Sequence, residues 1–196
     1  DSVREVIDGY SNHKKMEKIL DNLKNKIYET AQSFIIKDSI VMDYGCGSGR
    51  YLEMFRNVQL VGVDSNNIVL EKITKNKIPS AKLLCLDLTN KEQTNNLIKQ
   101  YQHNIDFLYS TIVLQHIPRS KIKQFFKGIA SLVKKNGGIA FAFPTSLDFY
   151  ERYGEAYYIR YSDVEIRKIL LKNNFLIKKL EITNNGKDAY IVAIKQ

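Results

Sequence analysis

The chain has 196 residues, 44% of them hydrophobic, a formal charge of +9 and two cysteines. That size suits one domain with a full core, and cysteines outside any C-x-x-C pair argue against a disulfide framework or a zinc site and for a reducing, cytoplasmic home. No run reads as a membrane span or a secretion signal, so neither is expected.

The charge is open to two readings. It suits an anionic partner such as RNA, or a solvated surface, since the lysines are scattered from Lys14 to Lys135 without a dense block.

Taken in order, residues 1–36 place Val3, Val6, Ile7, Met16, Ile19, Leu20, Leu23, Ile27 and Ala31 at helical spacing. Two helices broken near residues 9–12 fit, capping the core.

The central stretch is 40–55, I-V-M-D-Y-G-C-G-S-G-R-Y-L-E-M-F. An apolar strand ends in Asp43, turns through Gly45-Cys46-Gly47-Ser48-Gly49, and runs into a helical pattern carrying Leu52 and Phe55. Glycines there allow positive φ and let a ligand lie on bare backbone. This is the layout of a nucleotide-type site at the first βα junction of a doubly wound sheet. A dinucleotide fingerprint needs a third glycine at position 50, where Arg50 stands. A carboxylate at the mouth also repels a pyrophosphate and welcomes a cation. No Gly-Lys-Ser/Thr follows, which excludes a P-loop.

Residues 58–64 form a second apolar strand ending in Asp64, about twenty residues on, where such folds keep a ribose-binding carboxylate. The bland alternative is a cap for the helix carrying Ile68, Leu70 and Ile73, which Ser65 or Asn66 serves as well. Residues 81–88 repeat the pattern, ending at Asp87 and Leu88. A polar helix (91–102) precedes a fourth strand (105–113) ending at Ser110 and Thr111, then Leu114-Gln115-His116-Ile117-Pro118. Asp106 reads as structural and His103 as solvated. His116 is either a general base or a wall of the pocket.

An amphipathic helix (121–133) ends at the stop signal Asn136-Gly137-Gly138, and a fifth strand covers 139–143. Residues 146–161 carry five tyrosines and two arginines in an irregular segment, read equally as a substrate lid or as packing on the sheet edge. Ser162-Asp163-Val164-Glu165 is a capping box for a helix at 164–172. Strands at 175–183 and 188–195 are joined by the hairpin signal Asn184-Asn185-Gly186-Lys187.

The residues Asp43, Gly45, Cys46 and Gly47 closely resemble motif I of the class I S-adenosylmethionine (SAM)-dependent methyltransferases, of form D-x-G-C-G-x-G. The likeness continues in order over about residues 38–195, including L-x-H-x-P at His116 and K-K-N-G-G before strand five, with Asn136 where proline is usual. It implies a seven-stranded α/β sheet of order 3-2-1-4-5-7-6, last strand antiparallel. One domain, 1–196, is expected: an N-terminal helical cap (1–36) on a Rossmann-like core (37–196).

The resemblance also implies SAM as cofactor, with the N-terminal leader closing over it and Tyr10 and His13 as candidate pocket residues. Asp64 and the adjacent Ser65 would meet the ribose, Asp87 and the Leu88 amide the adenine, and Ser110 the methionine part, with His116 near the transferred methyl and no metal. The expected acceptor is a small molecule, a sugar or secondary metabolite, methylated on O or N by a monomer or homodimer. The absence of an Asn-Pro-Pro-Tyr-like tetrad after strand four argues against amino-methylating DNA and glutamine enzymes. An RNA methyltransferase and a non-catalytic SAM-binding subunit are the alternatives.

Overall fold

Each apolar stretch that ends in a turn becomes a strand. The computed structural model describes residues 17–18, 20–76, 78, 80–87, 89–145, 150–152, 158–183 and 186–196. After a helix α1 over 20–31 come β1 (Ile40–Tyr44), β2 (Gln59–Asp64), α2 (Asn67–Asn76), β3 (Ala81–Cys85), α3 (Lys91–Tyr101) and β4 (Ile105–Thr111). Then follow α4 (Arg119–Leu132), β5 (Val133–Pro144), the short pair β6 (Tyr150–Arg152) and β7 (Tyr158–Arg160), α5 (Asp163–Lys172), β8 (Phe175–Thr183) and β9 (Asp188–Lys195).

Seven strands form one sheet in the order β3-β2-β1-β4-β5-β9-β8, with β9 antiparallel to both neighbours. Counted along the main sheet alone, this is the 3-2-1-4-5-7-6 order expected, with the last strand reversed. The order of β1 beside both β2 and β4 creates the switch point at which open α/β sheets bind ligands.

Strand alternation sorts the core into two faces. Met42, Leu108, Ile139 and Phe141 pack with Phe125, Phe126 and Ile129 of α4, all buried. Val41, Phe107, Tyr109 and Ala140 point the other way and pack under Ile27 and Ala31 of α1. Burying each large apolar side chain contributes about 1.5–3 kcal/mol, so α1 is pinned to its face by core contacts. Asp106 is structural, as its place at the strand start suggests: its carboxylate accepts the Ile40 amide at 2.8 Å and the Lys134 ammonium.

Two local expectations fail. Asn136-Gly137-Gly138 does not cap α4, which ends at Leu132 as Val133 turns extended (φ −76°, ψ 130°). Asn136 sits inside β5 at φ 63°, beside a register shift against β4. Gly138 is required by crowding, because a Cβ there would lie 2.5 Å from the Phe34 ring. The irregular segment 146–161 also contains regular structure, since β6 and β7 pair antiparallel with Tyr150 opposite Arg160. Residues 1–16, 146–149 and 153–157, including Tyr10, His13 and part of the tyrosine cluster, lie outside the described residues. No helix among the described residues is long and apolar enough to cross a membrane.

Candidate active site

The C-terminal ends of β1 to β4 surround a cavity of about 890 Å³. The glycine turn forms one wall. Gly45, Gly47 and Gly49 have φ of 94°, 51° and 76°, the left-handed conformations that side chains resist. A Cβ on Gly45 would come within 2.3 Å of Val113, whereas one on Gly47 would meet nothing within 4 Å. Gly47 therefore presents open backbone to the cavity that it lines.

The turn's amides do not form a phosphate cradle. Gly45 and Cys46 both donate to the Val63 carbonyl (2.7 and 2.9 Å), Gly47 to Asp64 Oδ2 (2.8 Å) and Gly49 to the Cys46 carbonyl (2.9 Å). The turn is sewn to β2, and those donors are already engaged. This is the physical reason that the loop does not serve a pyrophosphate.

Three carboxylates stand at successive strand ends. Asp64 lines the cavity and also accepts the Asn66 amide through Oδ1 at 3.0 Å. Capping of α2 falls to Asn66, whose Oδ1 accepts Val69 N–H at 3.3 Å. Ser65 lines the cavity as well. Asp87, also on the lining, takes the Thr89 amide and hydroxyl on one oxygen, both at 2.8 Å. Leu88 lies outside the described residues.

Asp43 differs from the other two. It is fully buried, paired in register with Tyr109 of β4, and does not line the cavity. Among the described residues, neither of its oxygens has a hydrogen-bond partner, and the same holds for the buried Tyr109 and Tyr51 hydroxyls. Burial raises the Asp43 carboxyl to about 8, the nearby Asp64 charge adds to this, and the Tyr109 hydroxyl opposes it without reaching hydrogen-bond geometry. Burial thus favours the protonated form of this carboxyl. Burial likewise pushes the Cys46 thiol upward, so this cavity-lining cysteine is an inert wall.

Ser110 is turned away: it is buried, off the cavity lining, and donates to the Tyr44 carbonyl at 2.6 Å. Its neighbours Thr111, Ile112 and Val113 line the cavity instead. Ile112 stands at φ 58°, a strained setting for a β-branched residue. That kink leads into a 3-10 turn, Leu114–His116, which places the exposed His116 on the cavity rim beside Ile117 and Pro118.

Distant chain supports this rim. The Tyr161 hydroxyl donates to the Ile117 carbonyl at 2.6 Å, and the Thr145 hydroxyl donates to the Tyr161 carbonyl at 2.7 Å. Arg119 donates to Glu165 (2.8 and 3.1 Å) and to the Arg160 carbonyl (3.1 Å), with its guanidinium 4.9 Å from the Tyr161 ring centre. The β6–β7 pair is thereby anchored next to the His116 turn.

Sequence reasoning brought Gly45, Cys46, Gly47, Asp64, Ser65, Asp87 and His116 to one cavity. It missed Leu20, Arg50, Tyr51, Ile112 and Val113 on the same lining. Arg50 and Tyr51 were findable, since they directly follow the turn.

Several solved structures share the fold. The magnesium protoporphyrin IX methyltransferase of Synechocystis is 17% identical, with a TM-score of 0.64 over 90% of this chain and 79% of that one. A 1,6-didemethyltoxoflavin-N1-methyltransferase of Burkholderia thailandensis is 12% identical (TM-score 0.69, 88% and 76% covered). A TehB-like SAM-dependent methyltransferase of Corynebacterium glutamicum is 11% identical (TM-score 0.68, 95% and 99% covered). No curated protein matches the chain significantly. A methyltransferase domain family matches residues 13–174, most of the chain, and with the cavity at the switch point this makes the protein a member of the SAM-dependent methyltransferase family.

Proposed function

We propose that the protein transfers the methyl group of SAM to an oxygen or nitrogen of a small molecule, a sugar or secondary metabolite, within a single domain spanning residues 1–196. The observation that carries this reading is the position of His116, on the rim of a concave cavity whose opposite end is acidic. Its volume of about 890 Å³ lies in the range of small-molecule sites. Two fold neighbours are by name methyltransferases of small molecules, 1,6-didemethyltoxoflavin and magnesium protoporphyrin IX.

The chain's residues fit the cofactor. Open backbone at Gly47 and the carboxylates of Asp64 and Asp87 on the lining suit a nucleoside with a cationic end. When bound, SAM supplies a methyl group already activated by its sulfonium. The protein's task is then chiefly positioning. Asp64 with Ser65 holds the ribose, Asp87 with the Leu88 amide the adenine, and the Gly45–Cys46–Gly47 turn supports the methionine part. His116 takes the proton that the acceptor atom loses. Ile112, Val113, Ile117 and Pro118 give the acceptor end an apolar wall. The free cysteines Cys46 and Cys85 suit a reducing, cytoplasmic setting.

His116→Ala tests the assignment, with acceptors drawn from a panel of hydroxylated and amino metabolites. Turnover is expected to fall about a thousandfold, within the usual range for a general base, while calorimetric SAM affinity stays within twofold. An unchanged rate at every pH reduces His116 to a wall.

A further inference from the structure

We propose that the protein has a second ligand site, for a flat aromatic molecule bearing a phosphate or carboxylate, on the sheet edge opposite the large cavity. A smaller cavity of about 380 Å³ opens between the end of α1 and the loops leading into β1 and β2. Those loops lie at the N-terminal ends of two parallel strands, whereas the large cavity lies at their C-terminal ends. The five residues of β1, about 16 Å of extended chain, keep the two apart.

Charge gives the polarity of the ligand. Among the described residues, the lining carries two cations, Lys37 and Arg56, and no acid. Both are exposed, and neither has an ion pair or hydrogen bond to another described residue. Glu53, close by in sequence, is held by Lys24 at 3.6 Å, and Asp38 follows Lys37 but stays off the lining. Two like charges on one concavity repel each other until an anion joins them. The planar fork of Arg56 matches a phosphate or carboxylate with paired hydrogen bonds, and the Lys37 ammonium adds a second charge.

The rest of the lining fits an aromatic body. The rings of Tyr28 and Phe55 lie 6.1 Å apart at 39°, and the Tyr28 ring is exposed on the cavity, as is Ile36. Such rings gain by covering a flat apolar face, and the Gln32 and Asn57 amides add polar contacts at its edge. The walls are preformed. The Asp38 amide donates to the Asn57 carbonyl at 3.0 Å, the Gln59 side chain to the Asp38 carbonyl at 3.3 Å, and the Ile36 amide to the Ser39 hydroxyl at 2.9 Å. Asp38 and Asn57 stand at φ 67° and 57°, a setting that these two residue types tolerate. The volume falls in the range of small-molecule sites.

Phenyl phosphate, benzoate and inorganic phosphate are titrated calorimetrically into wild type, Lys37→Gln/Arg56→Gln, Tyr28→Ala and, as a control in the large cavity, Arg50→Gln. The substituted side chains are all exposed, so the fold is retained. Wild type is expected to bind a ring anion more tightly than inorganic phosphate, and the tighter of the two ring anions names the anionic group. The double variant should weaken that binding about tenfold or more, through the loss of charge-assisted hydrogen bonds. Tyr28→Ala should weaken the ring anion about fivefold and leave inorganic phosphate within about twofold. Arg50→Gln should leave all three within about twofold, because it lines the other cavity. No saturable binding by wild type overturns the proposal, as does an unchanged affinity in the double variant. A loss in Arg50→Gln instead assigns the anion to the large cavity and overturns it too.

Discussion

The two halves of the cavity solve the same backbone problem in opposite ways. In the half proposed to hold the cofactor, the three positive-φ positions of the turn are all glycine, at Gly45, Gly47 and Gly49. In the half proposed to hold the acceptor, the chain reverses through Ile112, a β-branched residue at φ 58°. The first half is held by short-range bonds between neighbouring strand ends, as with Gly47 and Asp64. The second half is held by contacts that cross over 40 residues of chain, such as Tyr161 to Ile117 and Arg119 to Glu165. A relaxed, locally encoded cradle faces a strained, remotely braced rim.

The sharpest way to break this contrast is Asp64→Ala. The cofactor half is argued to work through its acids, and hydrogen bonds to a charged group contribute about 1.5–3 kcal/mol each. Losing two predicts SAM binding weaker by at least about a hundredfold by calorimetry, with the fold retained. Asp64→Asn keeps an acceptor for the Gly47 amide and should lose about tenfold. Unchanged affinity in both variants would leave the strand-end carboxylates without a ligand role.

Asp43 gives a pH signature to the same half. The unfolded chain releases this proton above about pH 4, whereas the folded, ligand-free chain holds it to about 8. The native state therefore binds more protons across that window, and stability falls as pH rises through it, by up to about 1.4 kcal/mol per unit. Below the window both states are protonated, and above it both are ionised. Thermal unfolding from pH 5 to 8 should show wild type losing stability relative to Asp43→Asn. Parallel curves for the two proteins would mean that Asp43 is ionised in the fold.

The same contrast explains how much was legible beforehand. Strand ends, glycine turn and acids are nearest neighbours in sequence, so the cofactor edge could be read from 40–88, whereas the sheet order followed from the family resemblance over the whole core. Arg50 was noticed only as a misfit to another fingerprint. The rim was legible as far as His116, because L-x-H-x-P is local. Its bracing was not: nothing near Arg119 announces Glu165, and the β6–β7 pairing depends on tertiary contacts. Asn136-Gly137-Gly138 misled because crowding by Phe34 demands a glycine where a cap would also use one.

The smallest effect bears on the strain itself. Ile112 is 43% exposed, so replacing it forfeits little apolar burial, and its amide still reaches the Ala142 carbonyl at 2.8 Å. Left-handed backbone costs an ordinary L-residue about 1–2 kcal/mol, and asparagine is among those that tolerate it best. Ile112→Asn should therefore stabilise the protein by about 1 kcal/mol, raising the thermal midpoint by about 2–4 °C for a domain of this size. SAM affinity should not change, because the cofactor half is built without this residue. A lower midpoint would mean that the isoleucine side chain holds its own kink in place, and the rim would then be packed rather than strained. Gain in midpoint with loss of turnover would instead tie the strained backbone to the presentation of His116, since the 3-10 turn that carries the histidine begins two residues later.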